Sequence, residues 1–245
     1  MNNLMVSKSD RDKRHFEKIR LVLKFLSQEI YSDMNTLCLM MQYKSRQPMD
    51  RLLNKLIDYG FVKKHVFNLP TGKISLWGVT ELGLAQPAGI DADDCAHFEP
   101  SKVKWVMLMH KLSNQHARIF LERAGWKDWK NGDRYSFKKK FPTEHRPDAI
   151  AVNRSGSTVA IETELTLKPV SRYRSIFKSH MIAKQKGYWK LVAYIVKDDE
   201  MKEKLARRFD RVEYIQFDES KHPFGSEREK MVRIFTLREL EAMSL

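Results

Sequence analysis

The sequence predicts an α/β chain in two parts: a small helical module closed by a strand pair, then a mixed sheet flanked by helices. Three observations predict it. Apolar residues recur at helical spacing up to Gly60, and a Pro-, Gly- and Asp-rich stretch between Gln86 and Pro100 breaks that period. Beyond it, short apolar strands alternate with amphipathic helices. The expected divisions are 1–86 for the first module, 87–100 for a linker and 101–245 for the second domain.

Charge narrows the choice of partner. The chain has 245 residues, 45 Lys+Arg against 31 Asp+Glu, and a net charge of +14. That bias exceeds what solubility needs and points to a polyanion, nucleic acid before an anionic membrane surface. No apolar run approaches the about 18 residues that span a bilayer, and the start of the chain lacks a signal-peptide core, so no membrane insertion and a cytoplasmic location are expected. Cys38 and Cys95 form neither a disulfide framework nor a zinc ribbon.

In the first module a helix is expected over His15–Gln28, with Phe16, Ile19, Leu23 and Leu26 on one stripe. A second apolar segment, Asn35–Tyr43, follows a cap at Ser32 or Asp33. A third helix, Gln47–Tyr59, has Pro48 in its first turn, Leu52, Leu53, Leu56 and Ile57 inward, and Gly60 as its stop. Two strands around a Pro-Thr-Gly turn follow. Three helices and a two-stranded wing make a winged helix-turn-helix, whose third helix enters the major groove. Lys44, Ser45, Arg46, Gln47, Arg51 and Asn54 lie near the start of that helix, placed for base-edge and phosphate contacts. Lys63, Lys64 and Lys73 on the wing are placed to hold phosphates. The plainer reading makes each an ordinary surface group.

The second domain opens with a helix over Lys102–Ala124 stopped by Gly125, with Val103, Val106, Met107, Ala117, Phe120 and Leu121 apolar. A segment Trp126–Phe137 and the basic run Lys138–Lys140 follow. Strands are expected at Ala149–Val152 and Thr158–Leu165, a helix from Ser171 to Lys186 stopped by Gly187, and a buried strand at Trp189–Val196. A helix near Met201–Phe209 and strands Val212–Phe217 and Met231–Thr236 complete the α-β-β-β-α-β order and its extension.

The chemistry sits between Arg146 and Lys168. A strand has period two, so Glu162 and Glu164 leave one face and Ile161, Thr163 and Leu165 the other. Asp148, after Pro147 on the preceding strand, is expected to reach the same patch. Converging carboxylates are costly without a cation, and hard oxygen ligands suit Mg²⁺ or Mn²⁺. Asp148, Glu162 and Glu164 are therefore the candidate metal ligands. The competing reading places the two glutamates on the solvated face of an edge strand.

This order, with Pro147-Asp148 on one strand and Glu162 14 residues further on, resembles the PD-(D/E)XK nuclease core. That core usually carries a lysine two residues after the glutamate, where this chain has Glu164. Lys168 is the nearest replacement, with Lys178 and Lys184 on the next helix as rivals. The phrases HRPDAIAV, VAIETELTLK and RYRSI, with LMHKL on the preceding helix, are similar to the replication-relaxation family of plasmid mobilization proteins and to its MobC-type relaxases. The resemblance implies a metal-dependent relaxase that nicks one strand at a plasmid origin of transfer. It also implies a relaxosome accessory protein and a coupling protein as partners. Arg172, Tyr173 and Arg174 are placed to guide DNA beside the site, or else begin an ordinary amphipathic helix whose inward stripe is Tyr173, Phe177 and Met181. His145 positions phosphate or caps the strand, His110 reads as a core histidine, and Glu122 is a spare carboxylate. Tyr135 and Tyr173 are the tyrosines available if cleavage is covalent. Two rivals remain: a restriction- or transposition-type endonuclease acting as a homodimer, and a winged-helix regulator without catalysis.

Overall fold

The computed structural model describes residues 7–69, 72–86 and 96–244. The chain divides into two compact units, Met1–Leu108 and Met109–Leu245.

In the first unit the hydroxyl of Ser7 accepts the Asp10 amide at 3.1 Å and starts α1 (Lys8–Glu29). The helix begins earlier than its apolar stripe, because a strong cap and a charged first turn need no core. Ile19, Leu23 and Leu26 face inward, whereas Phe16 is 67% exposed and leaves the expected stripe. A three-residue strand, β1 (Tyr31–Asp33), leads into α2 (Met34–Met40), capped by Asp33 through the Thr36 amide at 2.9 Å. Next comes α3 (Gln47–Asp58), with Met49, Leu52, Leu53 and Leu56 buried. Gly60 then turns the chain at φ 73°. Strands β2 (Val62–Leu69) and β3 (Gly72–Val79) pair antiparallel, and β1 joins the other side of β3. Of the expected turn, Pro70 and Thr71 lie outside the described residues, as do residues 87–95 of the expected linker. Phe98, from the end of that stretch, is buried, and its amide donates to Val79 at 2.8 Å. A short helix, α4 (Glu81–Leu84), follows β3.

The second unit is a mixed sheet flanked by helices. Helix α5 (Trp105–Arg123) enters it from Met109 onward and stops at Gly125. Of its apolar positions, Val106 and Met107 are 94% and 50% exposed, while Leu112, Ile119 and Phe120 are buried. Then come β4 (Lys127–Asn131), α6 (Tyr135–Lys140), β5 (Ala149–Val152), β6 (Thr158–Glu164), α7 (Val170–Gln185) and β7 (Leu191–Val196). The chain closes with α8 (Asp199–Asp210), the hairpin β8 (Tyr214–Phe217) and β9 (Ser220–Pro223), α9 (Gly225–Met231), β10 (Val232–Thr236) and α10 (Leu237–Met243). The basic run Lys138–Lys140 lies at the end of helix α6.

The five strands run in the order β10-β7-β6-β5-β4, with β10, β7 and β6 parallel and β5 and β4 antiparallel to their neighbours. Strand β6 is therefore central, not an edge. One face packs Ile150, Ala160, Val192 and Tyr194 against Tyr173, Phe177 and Phe209 of α7 and α8. On the other, Thr163 donates its hydroxyl to Asn114 of α5 at 3.1 Å. Edge strand β4 carries a bulge between Lys127 and Lys130, with Asp128 at φ 55°.

Gly132 fixes the approach to the site. Its amide donates to the Asp148 carbonyl at 2.7 Å, and a Cβ there would lie 1.8 Å from the Pro147 carbonyl oxygen. Backbone cannot yield as a side-chain tip can. Gly132→Ala should therefore lower the unfolding free energy by about 1–3 kcal/mol in urea titration.

Candidate functional site

The site grows from β6. Because the strand alternates, Glu162 and Glu164 share the face covered by α7, while Thr163 turns to α5. A central strand buries both faces, so Glu162 is only 7% exposed and Glu164 3%. The solvated-edge reading of this pair is excluded. Asp148 stands one residue before the β5–β6 ladder, its amide donating to Ile161 O at 3.0 Å. The paired register of the two strands begins at Ala149 opposite Ile161, and the Asp148 carboxylate turns to Thr163 and to His110 of α5 instead of joining Glu162 and Glu164 on the face under α7.

Each carboxylate has its own partners. Asp148 Oδ2 accepts the Thr163 amide at 2.7 Å and lies 3.3 Å from His110 Nε2, which also meets the Thr163 carbonyl at 2.8 Å. Burial works against the charged imidazole of His110, yet the Asp148 carboxylate and that carbonyl together raise its pKa. His110, expected as a core histidine, thus holds one of the candidate ligands.

Glu162 Oε1 meets two imidazoles, His145 Nε2 at 2.8 Å and His180 Nε2 at 3.0 Å. Burial alone would raise its pKa, but these two contacts outweigh it and hold the carboxyl down at about 2. The ligand atoms of His145, Glu162 and His180 all lie within 4.8 Å of one another. Asp148 and Glu164 stand outside that tight group. His145 is itself tethered to α7, since Ser179 Oγ accepts its amide at 3.0 Å.

Glu164 is bound differently. Lys168 Nζ reaches both its oxygens, Oε2 at 2.6 Å, and Tyr173 donates its hydroxyl to Oε2 at 3.0 Å. Burial raises the pKa of Glu164, with Lys168 pulling the other way. Tyr173 is fully buried and its hydroxyl pKa is raised by burial, which makes it a poor nucleophile; Tyr135 is 66% exposed. Tyr194, across from Glu162 on β7, has a buried hydroxyl without a hydrogen-bond partner among the described residues.

Other candidates lie elsewhere. Lys178 Nζ rests over the Phe217 ring at 5.6 Å, Lys184 pairs with Glu227, and Glu122 pairs with Arg118 at 2.9 Å. Arg172 is exposed, and Arg174 donates to the Tyr214 carbonyl at 3.2 Å. In the first unit Lys44, Gln47, Arg51, Asn54, Lys64 and Lys73 are exposed and Lys63 is half-buried. Arg46, also exposed, donates to Asn35 Oδ1 at 2.8 Å, and Lys64 lies over the Trp77 ring at 5.1 Å.

Sequence reasoning missed His180 and Trp189 as parts of the site. The signal was present: continuing the inward stripe from Tyr173 and Phe177 by three residues reaches His180, which is fully buried, rather than half-buried Met181. Comparison with family models, curated proteins and solved structures finds no match for this chain. No helix among the described residues is long and apolar enough to cross a membrane.

The Glu162 shift carries a sign. Its folded pKa lies below the ordinary value of 4.5, so ionised Glu162 stabilises the fold fully above that pH and loses this contribution as pH falls toward about 2. With chelator present, acid unfolding followed by circular dichroism should be less steep over this window for Glu162→Gln than for the unaltered protein.

Proposed function

We propose that the second unit cleaves DNA phosphodiester bonds with the help of a divalent cation, and that the first unit delivers it to duplex DNA. One observation carries the reading: Glu162 is buried and held ionised on β6, with Asp148 just before the adjacent strand β5, within an α-β-α-β-β-α-β run. That combination supports the reading of a PD-(D/E)XK-type core. The finer reading is a MobC-type relaxase that nicks a plasmid origin of transfer, with a relaxosome accessory protein and a coupling protein as partners.

The carboxylate donors of Asp148 and Glu162 are of the type that suits Mg²⁺ or Mn²⁺. The contacts of Asp148 fall on Oδ2 and those of Glu162 on Oε1, leaving Oδ1 and Oε2 as hard oxygen donors. The Tyr194 hydroxyl opposite Glu162, which has no hydrogen-bond partner among the described residues, is the kind of buried group that a filled site satisfies. When bound, such an ion polarises a phosphoryl oxygen and lowers the pKa of attached water. Thr163 and His110 hold Asp148 in place. Lys168 supplies the ammonium that offsets charge on the pentavalent phosphorus, and Glu164 with Tyr173 fixes it there. Glu164 thereby serves through Lys168 rather than as a third ligand. The exposed start of α3 and the cations of β2 and β3 form the winged-helix surface that meets DNA.

A supercoiled plasmid carrying the cognate origin, incubated with Mn²⁺, should give open circles that persist without becoming linear. Asp148→Ala and Glu162→Ala should abolish cutting while DNA affinity holds. Linear product would favour a restriction-type homodimer, no cleavage a non-enzymatic regulator, and full activity in both variants would remove the site assignment.

Binding itself gives a separate check. Arg51→Ala should weaken DNA binding in a filter or anisotropy assay and, if it contacts phosphate, reduce the log–log salt slope by about 1.

A further inference from the structure

We infer that His180 is a positioning residue for Glu162, with its ring held by Trp189 so that Nε2–H faces the carboxylate. The inference rests on the reading of Glu162 as a cation ligand and deepens it. His145, Glu162 and His180 look at first like a two-histidine, one-carboxylate metal site. The far side of the His180 ring argues otherwise. Trp189 Nε1, which can only donate, points its N–H at His180 Nδ1 at 3.2 Å.

A neutral imidazole carries one proton. With Nδ1 accepting from the indole, that proton sits on Nε2, 3.0 Å from Glu162 Oε1. The contact is too bent for a full hydrogen bond, yet Nε2 has no other partner among the described residues. A histidine that ligates through Nε2 instead carries its proton on Nδ1 and donates it to an acceptor. Here that would set two N–H groups against each other in a fully buried place, since His180 is 0% and Trp189 1% exposed.

The polarity of the whole chain of contacts is thereby fixed: indole N–H to imidazole, imidazole N–H to carboxylate. It holds Glu162 anionic, occupies Oε1 and leaves Oε2 for the ion. His180 touches neither substrate nor ion. Its position on α7 makes the helix, and not only the strand, responsible for the aim of Glu162.

The test uses the full chain. Long-range ¹H–¹⁵N NMR of the metal-free protein should show His180 protonated at Nε2 and bare at Nδ1; protonation at Nδ1 would overturn the inference. Mn²⁺ affinity, read by EPR titration, should fall about 10–100-fold in His180→Leu. It should stay close to that of the unaltered protein in His180→Gln, whose amide replaces the Nε2 donor. Equal affinity in His180→Leu and the unaltered protein would overturn the role, as would tight Zn²⁺ binding through two imidazoles that both variants lose. Failure of the unaltered protein to bind Mn²⁺, with the Nε2–H tautomer in place, would remove the cation reading of Glu162 and leave the orientation of His180 supported.

Discussion

Two carboxylates buried two residues apart on a central strand are the constraint around which the second unit is organised. Desolvating such a group costs several kcal/mol even after the protein relaxes, so neither Glu162 nor Glu164 can be buried as an anion without local compensation. The compensation comes from three directions: His145 before β5, Lys168 just after β6, and Tyr173 and His180 from α7. These contacts tie α7 and the approach to β5 to one strand. The fold and the candidate chemistry are therefore not separable here. The side chains that make burial tolerable are the ones that would keep a catalytic carboxylate ionised.

The departure from the expected lysine position has a physical reading in the same terms. A lysine two residues after Glu162 would share its face directly. Glu164 stands there instead, and the ammonium arrives from Lys168, four residues further along, folded back onto Glu164. Positive charge thus reaches the same face by a longer route and is held by two groups, Glu164 and Tyr173. Lys168 is thereby the ammonium beside Glu164, while Glu162 is faced by the imidazoles of His145 and His180.

Much of this was legible in the residues, for reasons that differ by element. Strand β5 emerged with the expected bounds because Ala149–Val152 is apolar and bracketed by Pro147 and a turn at Gly156. Helix α7 was readable from its Pro start and Gly stop. The period-two placement of Glu162 and Glu164 gave their common face, but their burial depends on β7 and β5 flanking β6, which no local pattern encodes. Phe16 and Val106 show the opposite failure, being apolar yet exposed, because amphipathic period says nothing about how far along a helix its covering neighbours reach. Strand β1, three residues long, and the polar pair β9 and α9 lie below what periodicity resolves. The two histidines around Glu162 come from positions 145 and 180, and their meeting is set by tertiary packing alone.

The bulge in β4 bears on how the molecule behaves among its copies. An outer strand offers free peptide groups to any passing chain, and a flat one invites cross-β stacking. Here the extra residue twists the strand out of line at Asp128, and Lys127 and Lys130 project their ammonium groups into solvent beside it. A strand arriving from a neighbour would meet a kinked ladder and repelling like charge from its own lysines. This border of the sheet is thereby guarded against filament growth at high protein concentration.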